Sequence, residues 1–283
     1  MTTPGIVLRA FGDRTLVESL GEVHTLRPKG LLRTEGLLAG DRVECDGEHI
    51  TKLLPRQNQL GRPPVANAAV VLVVVCLRDP AVAQVDIDRL ILQAAVQELR
   101  TIVVLNKADL CAREEKEAFL DPYRRAGYAV AETAARVGQG IAELQALLPP
   151  GIAVLAGPSG VGKSSILKAL IGIDVKVSSI SERLHRGRHT TRAATLYSLG
   201  AGRLLADTPG FSALELPEVE ARELKRYYPE FRGSLCRFGD CVHRAEPDCS
   251  VQEAVQEGTI DRGRYERYLD FLQELEGRPK RWH

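Results

Sequence analysis

The chain lacks an excess of charge of either sign: 38 Lys and Arg stand against 37 Asp and Glu, a formal net charge of +1. That balance excludes a global electrostatic pull toward nucleic acid or membrane, so any nucleic-acid contact must be local. It also lacks a membrane-length apolar run. The longest, residues 66–77, contains Asn67 and stops at Arg78-Asp79-Pro80, well short of the roughly 20 residues that span a bilayer. No basic stretch followed by an apolar core and a cleavage site opens the sequence, so the expectation is a cytoplasmic protein with no membrane partner. Internal repeats and low-complexity tracts are missing too. Of six cysteines, Cys45, Cys76 and Cys111 are scattered while Cys236, Cys241 and Cys249 cluster, which in the cytoplasm favours a metal over disulfides.

What is present is enough apolar sequence, 44% of 283 residues, to bury a sizeable core in two or three domains. Up to about residue 60, short apolar stretches alternate with turn signals, as in Gly5-Ile6-Val7, Thr15-Leu16-Val17, Gly21-Glu22-Val23 and Gly40-Asp41-Arg42-Val43. This spacing predicts a small β-barrel, either OB-like or SH3-like. The polar, Pro-rich stretch 54–64 reads as a linker. From Ala68 onward apolar strands alternate with amphipathic helices. Strands are expected at 69–77, 101–105, 128–132, 152–156 and 203–207, and helices at 84–99, 113–126, 139–148 and 163–171. Together they predict a mostly parallel sheet with helices on both faces. The rhythm ends near residue 212. Past the clustered cysteines, Tyr265, Tyr268, Leu269, Leu272 and Leu275 recur at helical spacing within 260–275. A multidomain α/β chain is therefore expected: an OB-like β-barrel and linker at 1–62, a nucleotide-binding domain at 63–215, and a metal-binding helical domain at 216–283.

Ile152-Ala153-Val154-Leu155-Ala156 runs directly into Gly157-Pro158-Ser159-Gly160-Val161-Gly162-Lys163-Ser164-Ser165, the phosphate-loop pattern with a strand before it and a helix after it. Its glycines let backbone N–H groups face the β-phosphate, Lys163 reaches the β- and γ-phosphates, and the Ser164 hydroxyl ligates Mg²⁺. A second strand ends in Asp207-Thr208-Pro209-Gly210. There Asp207 would hold the magnesium through water, and the Gly210 N–H would sense the γ-phosphate. Thr190 and Thr191, in the basic loop between these motifs, are further candidates for the magnesium.

After the apolar stretch Thr101-Ile102-Val103-Val104-Leu105 comes Asn106-Lys107-Ala108-Asp109. The Asp109 carboxylate in this position accepts from guanine N1–H and the exocyclic amine, a donor pair that adenine does not present. Asn106 would brace the loop, and the Lys107 stem would lie over the base. Glu132-Thr133-Ala134-Ala135 occupies the segment expected to close over guanine O6. Ala134-Ala135 stand where a Ser-Ala pair is usual, so donation from the Ala135 N–H is kept and a serine brace is lost. This base motif precedes the phosphate motif, the reverse of common GTPases, and a circular permutation of one sheet explains the reversal.

Cys236-x4-Cys241-x-His243-x5-Cys249 offers three thiolates and one imidazole within 14 residues. That set completes a tetrahedral Zn²⁺ site with no open position, hence a structural one of one ion per chain.

Together with Leu54-Pro55-Arg56, Arg62-Pro63-Pro64-Val65-Ala66-Asn67, Ile87-Asp88-Arg89, Gly187-Arg188-His189-Thr190-Thr191 and Asp207 to Phe211, these motifs carry a likeness over nearly the whole chain. It resembles the circularly permuted GTPases of small ribosomal subunit biogenesis, the RsgA (YjeQ) family. The resemblance implies an N-terminal OB-fold, a central permuted GTPase, a C-terminal zinc domain, and GTP hydrolysis stimulated by the small ribosomal subunit late in its assembly. GTP and GDP, and the subunit with its rRNA, are then the expected partners of a chain acting as a monomer. Composition does not point to RNA by itself: residues 1–62 carry nine basic and eight acidic side chains, and residues 222–283 twelve of each. Only Arg183, Arg186, Arg188 and Arg192, with His185 and His189, form a local basic group.

Two other functions fit parts of the sequence. A P-loop phosphotransferase is permitted by the phosphate loop but disfavoured by the base motif, and a nucleotide-gated RNA-binding scaffold would have negligible hydrolysis. For hydrolysis itself, Phe211 stands where a glutamine that orients the attacking water is usual. His189 is the candidate substitute, since an imidazole accepts a water hydrogen bond near neutral pH.

Overall fold

Alternating burial along five short strands builds the N-terminal region of the computed structural model, which describes residues 2–11, 13–61, 64–174, 194–211 and 215–278. The strands are β1 (Thr3–Phe11), β2 (Arg14–Ser19), β3 (Glu22–Pro28), β4 (Arg42–Cys45) and β5 (His49–Leu53). They close in the order β1-β2-β3-β5-β4, with β4 returning to β1 and β3 parallel to β5. One helical turn, α1 (Leu32–Glu35), connects β3 to β4. This Greek-key closure is OB-like and decides against the SH3-like alternative. The period-2 pattern places Val7, Val17, Leu26, Val43 and Ile50 inside as a small core of their own.

The stretch expected to be a linker is, over its described residues 54–61 and 64, instead an ordered seam. Arg56 donates from Nε to Asp41 Oδ1 (2.6 Å) and from Nη2 to Asp41 Oδ2 (2.8 Å), and Asp41 is fully buried. Asn67 accepts from the Gln57 N–H (2.8 Å) and donates to the Gly40 carbonyl (2.9 Å), while the Asn58 side chain brackets both backbone groups of Ala68. A two-strand ladder, β6 (Gln59–Leu60) with β7 (Val65–Ala66), completes the seam. Buried amide and carboxylate groups must be paired, and pairing them across two regions of chain fixes both.

The run AAVVLVVV forms β8 (Ala68–Val75), and Val70 to Val75 are all fully buried. A strand apolar on both faces belongs inside a parallel sheet covered by helices. The chain then alternates α2 (Gln84–Val96), β9 (Arg100–Asn106), α3 (Arg113–Arg125), β10 (Ala129–Thr133), α4 (Ile141–Leu147), β11 (Gly151–Ala156) and α5 (Lys163–Asp174). Strands β12 (Thr195–Ser198) and β13 (Arg203–Phe211) finish the sheet in the order β10-β9-β8-β11-β13-β12. All neighbours are parallel except β12, an antiparallel edge that the pattern did not predict. Strand β13 also runs past its expected end at residue 207.

Beyond residue 215 regular structure thins to the 3₁₀ turns Ala221–Tyr227 and Pro229–Phe231 and two helices, α6 (Ser250–Gln256) and α7 (Arg262–Glu276). Their apolar side chains form a separate cluster that also takes in Leu92 of α2. Among the described residues, no helix is long and apolar enough to cross a membrane.

Candidate nucleotide site and metal centre

Strand β8 leads rightward to β9 and β10, whereas β11, later in the chain, lies on its other side. The order reverses at β8, and the crevice beyond the carboxyl ends of strands at such a reversal is where open α/β sheets bind ligands. The phosphate loop leaves β11 there. Gly157 has φ +135°, and a Cβ on it would lie 2.3 Å from the Val74 carbonyl oxygen. Gly162, at φ +97°, would put a Cβ 2.1 Å from Asn106 Nδ2. Only glycine satisfies both the left-handed backbone and the close approach.

The second contact shows how the motifs meet. Asn106, at the end of β9 and 2% exposed, donates from Nδ2 to the Val161 carbonyl (2.8 Å). Its Oδ1 accepts from Thr133 Oγ1 (3.0 Å) and from the Ala135 N–H (3.2 Å). One buried amide thus ties the base motif, the phosphate loop and the 132–135 segment together, a stronger role than bracing its own loop. The Ala135 N–H assigned to guanine O6 is engaged here, so a guanine would share that donor with Asn106.

Lys107 adopts a left-handed conformation (φ +58°), and its ammonium donates to the Asp79 carbonyl. It opens a 3₁₀ turn, Ala108–Leu110, on which the Asp109 carboxylate is exposed. Lys163 begins α5 and donates to the carbonyls of Gly157 (2.7 Å) and Pro158 (2.6 Å). Burial lowers its pKa, and an arriving phosphate would stabilise the charge that partial desolvation disfavours. Ser164, also in the first turn of α5, is exposed.

On the far side of β11, register shifts between Val154, which pairs with Ala206, and Ala156, which pairs with Phe211. The extra residues of β13 are those of Asp207-Thr208-Pro209-Gly210, so this motif sits in a bulge inside the strand rather than beyond its tip. Bulges of this kind re-aim the chain beside functional sites. Asp207 is exposed and pairs in register with Thr195 of β12. Ser164, in the first turn of the helix that follows β11, and Asp207, in the bulge of the adjacent β13, are hard oxygen donors, a donor set that suits Mg²⁺. His189, Thr190, Thr191 and the local basic group lie outside the described residues.

At the C-terminal cluster, His243 Nδ1 lies 3.5 Å from Cys236 Sγ and 3.4 Å from both Cys241 Sγ and Cys249 Sγ. Cys249 Sγ lies 3.8 Å from Cys236 Sγ and 3.7 Å from Cys241 Sγ. A tetrahedral ion with metal–sulfur bonds of about 2.3 Å and a metal–nitrogen bond near 2.0 Å has edges of about 3.8 Å and about 3.5 Å. The four donors therefore fit a metal. Burial pushes the Cys241 thiol up to about 12; a divalent cation would reverse that preference and release the protons. Around the donors, Tyr265 and Tyr268 hydroxyls donate to the His243 and Val242 carbonyls (both 2.7 Å), and Phe231 meets the imidazole edge-on at 5.3 Å.

One feature left no signal in the sequence pattern. Arg264 of α7, 2% exposed, donates to Asp88 Oδ1 and to Glu230 Oε1, each at 2.6 Å. Arg267 takes the other Asp88 oxygen at 2.5 Å. Tyr123, Tyr128 and Tyr228 rings surround the Arg264 guanidinium at 5.3–5.5 Å. This network joins α7 to α2 across 176 residues of sequence, a pairing that no local periodicity encodes.

Comparison with known proteins accords with this geometry. The family model described as RsgA GTPase matches residues 53–217. The small ribosomal subunit biogenesis GTPase RsgA of Moorella thermoacetica is 43% identical over 287 residues, covering 98% of each chain. The crystal structure of YjeQ from Thermotoga maritima superposes with a TM-score of 0.82 at 35% identity, covering 99% of this chain and 100% of that one. That of YloQ, a circularly permuted GTPase, gives 0.82 at 28% identity, covering 100% and 98%. With base motif before phosphate loop, a barrel ahead of the sheet and a Cys₃His cluster behind it, the chain belongs to the RsgA GTPase family.

Proposed function

We propose that this chain binds GTP in the crevice between β8 and β11 and hydrolyses it as a small ribosomal subunit biogenesis GTPase, the role named for its 43%-identical relative. The observation that supports the reading best is the buried Asn106 amide, whose three hydrogen bonds hold the guanine motif and the phosphate loop at one fixed spacing. In this reading Asp109 selects guanine. Residues 157–165 cradle the phosphates, with Lys163 supplying charge that grows in value as the transition state develops. Ser164 and Asp207 hold Mg²⁺, with Thr190 or Thr191 as the further ligand, and the ion neutralises phosphate charge when bound. The Gly210 N–H senses the γ-phosphate, and His189 orients the attacking water. Cys236, Cys241, His243 and Cys249 hold one Zn²⁺ in a structural role. The units that carry these parts are the barrel at 1–62, the permuted GTPase domain at 63–215 and the metal-binding domain at 216–283.

The test is GTP hydrolysis by the full chain with and without purified small ribosomal subunits, with ATP as competitor. Slow turnover alone, on the order of 10⁻⁴ s⁻¹, strong stimulation by subunits and no competition by ATP are expected. Equal use of ATP would defeat the guanine assignment, and the absence of stimulation would defeat the ribosomal one.

A further inference from the structure

The Asp109 carboxylate rides on a turn of only three residues, Ala108–Leu110, too short to hold its own direction. Its N-terminal side is fixed by buried Asn106 and by the Lys107 ammonium on the Asp79 carbonyl. On its C-terminal side Leu110 is exposed, and helix α3 does not begin until Arg113. The loop after β8 supplies what is missing. Arg78 donates from Nη1 to the Leu110 carbonyl and from Nη2 to Glu115 Oε1 at 2.7 Å. The other Glu115 oxygen accepts the Ala112 N–H at 2.8 Å, at the start of α3. The next residue, Lys116, pairs with Glu132 at 2.7 Å, on the segment leading to Ala135. The first turn of α3 is thus tied on one side to the β8 loop and on the other to strand β10.

From this juxtaposition we propose that Arg78 is a positioning residue for base recognition: its guanidinium fork clamps the end of the Asp109 turn to α3 and so sets the carboxylate's direction. The proposal rests on the guanine-binding reading given above. The planar fork matters, because a lysine ammonium could reach the carbonyl or the carboxylate but does not present two parallel donors. The same loop also touches the phosphate loop, since a Cβ on Gly160 would lie 3.0 Å from Pro80 Cδ. Arg78 itself makes no such contact, so its effect is confined to the base end of the crevice.

The test compares GDP, ADP and inorganic pyrophosphate binding to the full chain and to Arg78→Ala, Arg78→Lys and Glu115→Ala. Arg78→Ala is expected to weaken GDP binding about threefold, as for loss of a half-exposed charge-assisted pair, while pyrophosphate binding and the unfolding midpoint stay unchanged. Arg78→Lys should recover only part of the loss, and Arg78→Ala combined with Glu115→Ala should cost little more than either alone. Wild-type GDP affinity in Arg78→Ala overturns the proposal, as does an equal loss of GDP and pyrophosphate, which would mark a general disturbance of the fold. Failure of the underlying reading looks different: the wild-type chain itself would then bind ADP as well as GDP.

Discussion

In the sheet around β8, six consecutive side chains from Val70 to Val75 are fully buried and both neighbouring strands are parallel. From residue 215 onward, by contrast, 3₁₀ turns and short connections dominate until α7, and the buried groups include thiols, an imidazole, the Arg264 guanidinium and the Glu230 carboxylate it pairs with. The sheet is stabilised chiefly by non-directional removal of apolar surface from water. The C-terminal region relies on directional groups, each of which must keep its partner or cost the fold heavily. A change that removes one partner should therefore be mild in the first region and severe in the second.

The largest expected effect is at the metal cluster. Cys241→Ala removes one of four donors from a site whose binding energy is folding energy, on the order of 10 kcal/mol for structural zinc. Hydrogen exchange should show Arg262–Glu276 losing protection while Val70–Val75 keep theirs; equal protection loss in both would erase the contrast between the regions. Next is Arg264→Met, which leaves Asp88 and Glu230 buried with one cation fewer. A loss of about 3–5 kcal/mol is expected, read as a drop in the urea midpoint. A midpoint within error of wild type would show that the remaining Arg267 carries the pairing alone.

The smallest effect belongs to the rim of the same interface. The Arg89 guanidinium, hydrogen-bonded to Glu274 at 2.5 Å, holds that carboxyl below its ordinary value of 4.5. A depressed folded value gives stability that is present above 4.5 and lost as pH falls through the folded value. Because the pair is partly solvated, Arg89→Met should cost less than about 1 kcal/mol at neutral pH. The gap should shrink once the pH drops below the ordinary value. Denaturation of both proteins across a pH series checks this; a gap that widened on acidification would have the wrong sign.

How far the sequence spoke depended on the range of the interaction. The phosphate loop is legible because Gly157, Gly160 and Gly162 answer a local backbone need, and the metal cluster because its ligands fall within 14 residues. Sheet strands and helices follow from periodicity, which is equally local. Three things were not legible. Asp41 and Arg56 meet through the barrel, so 54–64 looked like a linker although its residues 56–60 are pinned. Asp88 and Arg264 meet only after the C-terminal region folds onto α2. The strand after Arg203 continues through Pro209 and Gly210 because a bulge absorbs residues that ordinarily end a strand. His189, the proposed catalytic group, lies outside the described residues, and its role rests on the sequence alone.

The permuted order has a consequence for how the protein comes into being. Strand β8 gains its neighbour β9 soon after it is made, for Val70 pairs with Arg100, but Ala68 meets Ile152 only after about eighty further residues have been added, roughly 5–15 s at ordinary translation rates. During that interval the most apolar strand in the molecule has one open edge, and the guanine-reading half of the domain, through Ala135, is completed before that edge is covered. A GTPase with the common motif order makes its phosphate loop first. This one makes its base-reading half first, and the strand that carries the phosphate loop is the one that later covers that edge.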